Sequence, residues 1–263
     1  MSVKVETVNT DKFKMKYFKF GNGGKPAVII PGLSLKSVSE SADSVASAYK
    51  AMKQDYTVYV FDRRLDCGES YSIEDMANDT IEALDILGIK DAYVFGVSQG
   101  GMIAQYIALK RPDLVKKLAL GSTAARVTEQ NTGGIKSWAK LAGEKKTDEL
   151  IDSFLSAVYS KEFSEQYGDF IKMMLINTSD LELERFAVYA NACNGFDLLD
   201  EVNKIKCPVF VIGAENDEVL GAQASVELAE KANAKLYMYK NYGHAVYDEA
   251  PDYLYRIIDF FEE

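Results

Sequence analysis

A serine in a glycine-rich turn is the first candidate for chemistry in this chain of 263 residues. The segment Gly96-Val-Ser-Gln-Gly-Gly101 follows an apolar run typical of a buried strand and opens a segment typical of a helix. Small neighbours on a tight turn let a serine side chain stand clear of the sheet, and the start of the helix supplies positive potential for an oxyanion. We therefore expect Ser98 to be a nucleophile; an ordinary glycine-rich turn is the alternative.

A serine hydroxyl needs a base, and the chain contains one histidine, His244. It lies in a loop between the last predicted strand and the last predicted helix. In a doubly wound sheet this loop emerges at the carboxyl ends of the strands, on the same edge as Ser98. We predict that His244 is the base, with a surface or helix-capping histidine as the alternative.

The base in turn needs an orienting acid. The predicted strand 208–212 ends in Gly213-Ala-Glu-Asn-Asp-Glu218, which reaches the same edge. We predict Asp217 as the acid and Glu215 as the second choice; a solvated acidic turn is the alternative.

The elements that must position these residues follow from hydrophobic periodicity. The first twenty residues alternate as two strands, and later apolar runs predict strands over 27–30, 56–61, 92–97, 115–120, 208–212 and 235–239. Helical segments separate them, which is typical of right-handed βαβ crossovers and a mostly parallel sheet. Only helix-like periodicity occupies about 123–200. We predict a core domain over 1–122 and 201–263, with a helical cap insertion over 123–200.

Composition and charge exclude several other classes. The net charge of −10 repels phosphate backbones and anionic membrane surfaces, so we expect neither a nucleic-acid partner nor a membrane partner. Cys67, Cys193 and Cys207 are odd in number and lack CxxC spacing, and one histidine leaves no metal-ligand cluster. We expect no metal and no disulfide framework. The start of the chain lacks the pattern of a signal peptide, which predicts a cytoplasmic protein.

Four motifs together resemble the α/β-hydrolase-fold serine hydrolases: GVSQGG, GAENDE, GHAVYDEAP and IIPGLSLKS. The order Ser98, Asp217, His244 is the order of that fold. The resemblance implies a mostly parallel eight-stranded sheet flanked by helices, a helical cap inserted after the sixth strand, and no cofactor. It also implies that the amides of Gln99 and Leu33, or else Ser34, form the oxyanion hole.

Two segments depart from the family pattern. Pro31 stands where a histidine is common, but the oxyanion donor is a backbone amide, so the function can survive the change. The loop over 62–70 has one extra residue and lacks a glycine. We interpret it as an altered structural turn.

The resulting functional prediction is a serine hydrolase that cleaves a small to medium acyl compound, most simply a carboxylic ester, through an acyl-enzyme on Ser98. One alternative is a C–C bond hydrolase or lyase in which Arg63, Arg64 or Arg126 holds a substrate carboxylate. Others are a non-enzymatic small-molecule receptor and a cofactor-free haloperoxidase-like activity. The expected partner is a small-molecule acyl substrate, and the expected state is a monomer or homodimer.

Overall fold

The computed structural model describes residues 2–263, and its centre is an eight-stranded sheet in the order β1-β2-β4-β3-β5-β6-β7-β8. The strands are β1 (Val5–Asn9), β2 (Lys14–Phe20), β3 (Lys25–Ile30), β4 (Tyr56–Arg64), β5 (Ala92–Val97), β6 (Val115–Gly121), β7 (Val209–Ala214) and β8 (Lys235–Tyr239). β2 pairs antiparallel with β1 and β4, whereas every pair from β4 to β8 is parallel. The predicted mostly parallel sheet is confirmed.

Helices cover both faces of this sheet. They are α1 (Ala42–Ala48), α2 (Ile73–Ile86), α3 (Gln99–Lys110), α4 (Gly133–Gly143), α5 (Thr147–Val158), α6 (Lys161–Leu175), α7 (Asp180–Ala192), α8 (Ala222–Lys231), α9 (Val246–Glu249) and α10 (Tyr253–Glu262). One apolar core lies between the sheet and α2, α3 and α8, and a second lies between the other face and α1 and α10. Because both faces are covered, β5 and β7 are buried along their whole length.

The segment between β6 and β7, all of which the structure describes, contains four helices, α4 to α7. Its two ends meet through an antiparallel bridge between Arg126 and Asp197. Inside it, Trp138 packs on Phe154 with ring centroids 4.9 Å apart, and the apolar side chains continue into the core on the α3 face. The predicted domain boundary, 123–200, coincides with this segment but stays a prediction.

The main difference from the predicted elements lies in β4. The strand continues to Arg64, whereas the sequence pattern ends it at Phe61 because three charged residues follow. Hydrogen bonds explain the extension: the Arg63 guanidinium donates to the Pro31 carbonyl oxygen (2.7 Å), and Arg64 pairs with Asp79 (2.6 Å). Charged side chains can therefore continue a strand where buried acceptors receive them.

Candidate active site

Ser98 occupies a strained turn between β5 and α3. Its φ of 52° is in the left-handed region, which side chains other than glycine rarely adopt. Glycines make this turn possible, since a Cβ on Gly100 would lie 2.0 Å from the carbonyl oxygen of Ile30, and one on Gly96 would lie 2.5 Å from the carbonyl oxygen of Gly100. The turn leaves the Ser98 side chain half-buried at the carboxyl edge of the sheet.

A chain of hydrogen bonds joins the three predicted residues. Ser98 Oγ lies 2.9 Å from His244 Nε2, and His244 Nδ1 lies 2.8 Å from Asp217 Oδ2. His244 is 3% exposed and Asp217 is 7% exposed, so this pair is shielded from water. The arrangement suits a hydroxyl that loses its proton to an imidazole held in one orientation.

Asp217 is fixed on its other side by the backbone. Its Oδ1 accepts hydrogen bonds from the amides of Val219 (2.9 Å) and Leu220 (3.0 Å). Burial alone would raise the pKa of the Asp217 carboxyl, but the charge and hydrogen bond of His244 and the two amides outweigh it, so the pKa lies below its usual range. Glu215, the second choice from the sequence, is exposed and does not lie against His244.

The candidate oxyanion donors lie next to Ser98. Gln99 opens α3, where the first amides have no intrahelical acceptor. Gly32 approaches so closely that a Cβ there would lie 3.1 Å from the Cβ of Ser98. Leu33 lines the cavity at Ser98, whereas Ser34 lines only the clefts beside it, which favours the amide of Leu33 as the second donor.

The side chain of Gln99 connects three parts of the molecule, a role that sequence reasoning missed. Its amide nitrogen donates to the Tyr189 carbonyl oxygen (2.6 Å) and to Cys193 Sγ (3.3 Å), at the end of α7. Its oxygen accepts from Arg63, which also donates to Pro31 on the oxyanion loop. Both segments that carry candidate oxyanion amides are thus held by one buried guanidinium. Only the position of Gln99 beside the nucleophile could have signalled this role.

We use the name nucleophile cavity for the space above Ser98, with an empty volume of about 410 Å³. Apart from Ser98, Gln99 and His244, its lining is apolar, and it consists mainly of Leu33, Met102, Ile135, Trp138, Phe154, Val158, Cys193, Val219 and Tyr247. Four of these residues come from α4 and α5, and Cys193 directly follows α7. The segment between β6 and β7 therefore forms the roof of the cavity.

Known proteins share this sequence pattern and fold. Residues 25–251 match the family described as having an alpha/beta hydrolase fold. The chain belongs to the α/β hydrolase fold family. The 3-oxoadipate enol-lactonase 2 of Acinetobacter baylyi is 23% identical over 219 residues, covering 81% of this chain and 80% of that protein.

Two solved structures give the same fold. An α/β hydrolase enzyme, MGS-M2, from a Medee basin deep-sea metagenome library superimposes with a TM-score of 0.89 at 21% identity, covering 98% of each chain. The enol-lactonase from Burkholderia xenovorans LB400 gives a TM-score of 0.84 at 23% identity, over 98% of this chain and 100% of that chain. The family model and the relatives named as hydrolases show that this α/β hydrolase is an enzyme with hydrolase activity. The alternative of a non-enzymatic receptor is therefore wrong.

The arginines that the sequence offered as a carboxylate clamp differ in their surroundings in this α/β hydrolase. Arg64 is paired with Asp79, and Arg126 is paired with Glu227 at 3.2 Å. Arg63 lines a polar cleft on the far side of the oxyanion loop, but its Nη2 is engaged by Pro31 and Gln99. These contacts favour a structural role for all three.

Other groups that could replace the serine in the reaction are a metal site or a thiol. Among residues 2–263 no three histidine, cysteine or acidic side chains group together as a metal site. In the same residues, no helix is long and apolar enough to cross a bilayer. Burial raises the pKa of the Cys193 thiol to about 11, so this cavity-lining thiol stays protonated and unreactive.

The low pKa of Asp217 predicts the shape of the acidic limb of activity. Because this carboxylate remains ionised in mild acid, Asp217 adds no second protonation to the acidic limb. We expect the acidic limb of log kcat/KM for an ester to reach a slope no steeper than one down to pH 5. Steady-state rates in overlapping buffers measure this slope, and circular dichroism at pH 5 serves as the folding control. A slope near two would contradict the low pKa of Asp217.

Proposed function

We propose that this α/β hydrolase is a serine esterase that cleaves a small to medium carboxylic ester through an acyl-enzyme on Ser98. The observation that carries the proposal is the uninterrupted chain Ser98 Oγ, His244, Asp217, with distances of 2.9 and 2.8 Å, beneath an apolar cavity. A nucleophile, a base and an orienting acid in that geometry serve acyl transfer.

The proposed reaction has two halves. Ser98 Oγ attacks the ester carbonyl carbon while its proton passes to His244 Nε2, and the amides of Leu33 and Gln99 donate to the oxyanion. Collapse of the tetrahedral intermediate breaks the bond to the alkoxy oxygen, which leaves as an alcohol with the proton from His244. A water molecule then gives a proton to His244, attacks the acyl carbon and releases the acid, and Ser98 recovers its proton.

Two features support an ester as the substrate. The nucleophile cavity offers apolar contact on most sides, which suits the hydrocarbon part of an acyl group. A relative named as an enol-lactonase acts, by that name, on a lactone, which is a cyclic ester. The C–C hydrolase alternative needs an arginine free to bind a carboxylate, and the hydrogen bonds and ion pairs of Arg63, Arg64 and Arg126 do not favour it.

The test combines covalent labelling with turnover. We expect a fluorophosphonate to add one adduct at Ser98, detected by mass spectrometry of the peptide, and p-nitrophenyl esters of increasing acyl length to be hydrolysed. Ser122→Ala is the matched control, since Ser122 is a buried serine that, like Ser98, has a positive φ (41°), and this variant should still be labelled. Labelling at Ser98 without any ester turnover would favour the C–C alternative, and absence of labelling would contradict the serine mechanism.

A further inference from the structure

A carboxylate lines a cleft that leads away from the nucleophile cavity. We call it the side cleft; it has an empty volume of about 1540 Å³ and borders the nucleophile cavity, with which it shares the lining residues Gly32, Leu33, Phe154, Val158 and Tyr247. Its walls are largely aliphatic, with Leu155, Ile171, Met174 and Leu175 from α5 and α6. Asp248 also lines it, four residues after His244.

Four tyrosines surround this carboxylate. The Tyr159 hydroxyl donates a hydrogen bond to Asp248 Oδ2 at 3.2 Å. Burial raises the pKa of Tyr49, Tyr159, Tyr247 and Tyr253, and in each case the nearby charge of Asp248 adds to the increase. Phenol groups from α9, from α10 and from the residues that directly follow α1 and α5 therefore converge on one acidic side chain.

Within residues 2–263, no lysine, arginine or histidine side chain forms an ion pair with Asp248. Neighbouring protein atoms partly desolvate the carboxyl of this exposed residue and raise its pKa to about 6, the charge of Glu249 acts in the same direction, and only the Tyr159 hydrogen bond opposes them. Glu249 is itself held by the amide and hydroxyl of Ser160, and Lys50 is an exposed residue on the neighbouring surface pocket. The Asp248 side chain is exposed at the side cleft, so a cation that enters the cleft can reach its carboxylate.

We propose that Asp248 and its surrounding tyrosines bind the protonated amine of an alkylammonium-bearing substrate. A primary ammonium has three N–H donors and no acceptor, which fits a carboxylate and phenol oxygens, and aromatic rings attract cations. The aliphatic side cleft accommodates the methylene chain between the amine and the reacting carbonyl. This inference rests on the proposed esterase activity and names a class of substrate for it.

The charge of Asp248 sets the pH range of the preference. Below about pH 6 the carboxylate is increasingly neutral, whereas an alkylamine, like the lysine side chain, stays protonated up to about pH 10. The four tyrosines stay neutral over this range because burial raises the pKa of each. The other charged groups nearby are Glu249, Lys50 and, on the wall of the side cleft, Lys36 and Glu40. We therefore expect the preference for the amine at pH 8 to fade at pH 5.

The experiment compares two esters that differ only at the chain end. The p-nitrophenyl esters of 6-aminohexanoate and heptanoate place an ammonium or a methyl group at the same position, and 8-aminooctanoate and nonanoate extend the series. We expect kcat/KM for the amino ester to exceed that of its partner by about tenfold at pH 8, as for a charge-assisted hydrogen bond. In Asp248→Asn this ratio should fall to one or below.

The control variant is Glu40→Gln. It removes the same charge from the lining of the side cleft at a residue that is not hydrogen-bonded to Tyr159, and it should keep the ratio of the wild type. Melting temperatures of both variants check the fold, and Asp248→Asn, which retains an acceptor for Tyr159, should not melt earlier. A wild-type ratio of one or less at every chain length, or a ratio unchanged by Asp248→Asn, would overturn the ammonium site while leaving the esterase proposal intact.

A separate binding measurement tests the ammonium site if the esterase proposal fails. If neither ester is hydrolysed, hexylammonium chloride is titrated calorimetrically into the wild type and into Asp248→Asn, with 1-hexanol as the uncharged control. Binding of hexylammonium to the wild type that is about tenfold weaker in the variant supports the site independently of any ester chemistry. Equal binding to both proteins, or none, overturns it.

Discussion

Replacement of Ser98 by alanine is expected to lower kcat for ester hydrolysis by several orders of magnitude, on the order of 10⁴ to 10⁶. His244→Ala should lower kcat by a similar factor, because the Ser98 hydroxyl is a poor nucleophile when no base removes its proton. The double variant should lose little more than either single variant, since the hydrogen bond of 2.9 Å makes the two side chains one functional unit. Steady-state kinetics with a p-nitrophenyl ester measure all three.

The matched control for this series is again Ser122→Ala, which removes a buried hydroxyl at the end of the neighbouring strand. It should retain activity within a few-fold of the wild type. Losses in the double variant that equal the product of the two single losses would show that Ser98 and His244 act independently, which the proposed mechanism does not allow.

Asp217→Asn is expected to lower kcat by about 10⁴ without unfolding the protein, a loss of the size seen when an acid that orients a catalytic histidine becomes an amide. Asp217 Oδ2 accepts from His244 Nδ1. An asparagine can present its N–H₂ to Nδ1 instead, which places the histidine proton on Nε2, and that nitrogen then cannot accept the proton of Ser98. The backbone amides of Val219 and Leu220 still bind the remaining oxygen, so the loop should keep its shape.

Glu215→Gln serves as the comparison for Asp217→Asn, because it removes a carboxylate two residues away that is exposed. Its kcat should stay within about twofold of the wild type, as for most surface substitutions. The opposite result, with the large loss at residue 215 and a small one at 217, would reassign the acid. Melting curves of both variants separate a catalytic loss from an unfolded protein.

The sequence predicted the fold well where burial on both faces imposes a continuous apolar run. β8 begins and ends where predicted, at Lys235 and Tyr239, and β5 matches over Ala92–Val97. The extension of β4 to Arg64 could not be predicted, because it depends on acceptors far away in sequence, Pro31 O and Asp79.

The candidate site was predictable in its residue types and only partly in its contacts. Ser98 and His244 each carry a local signal, a motif and a unique occurrence, whereas the choice between Asp217 and Glu215 depends on which way a turn faces. No local pattern describes the Gln99 side chain, whose partners come from β4 and α7. Asp248 lies inside a motif that drew attention to His244, and its proposed role depends on tyrosines that are mostly distant in the sequence.

His244, buried between Ser98 and Asp217, is the single histidine of the chain and can therefore serve as a spectroscopic probe of the site. Isotope labelling of histidine alone gives a single imidazole spin system, so every ring resonance belongs to the proposed base without assignment. Its Nδ1 proton, enclosed against a carboxylate, is a candidate for a low-field signal that survives exchange with solvent. Substrate analogues, the Asp217→Asn variant and pH can thus each be followed at the one atom pair through which the proton passes.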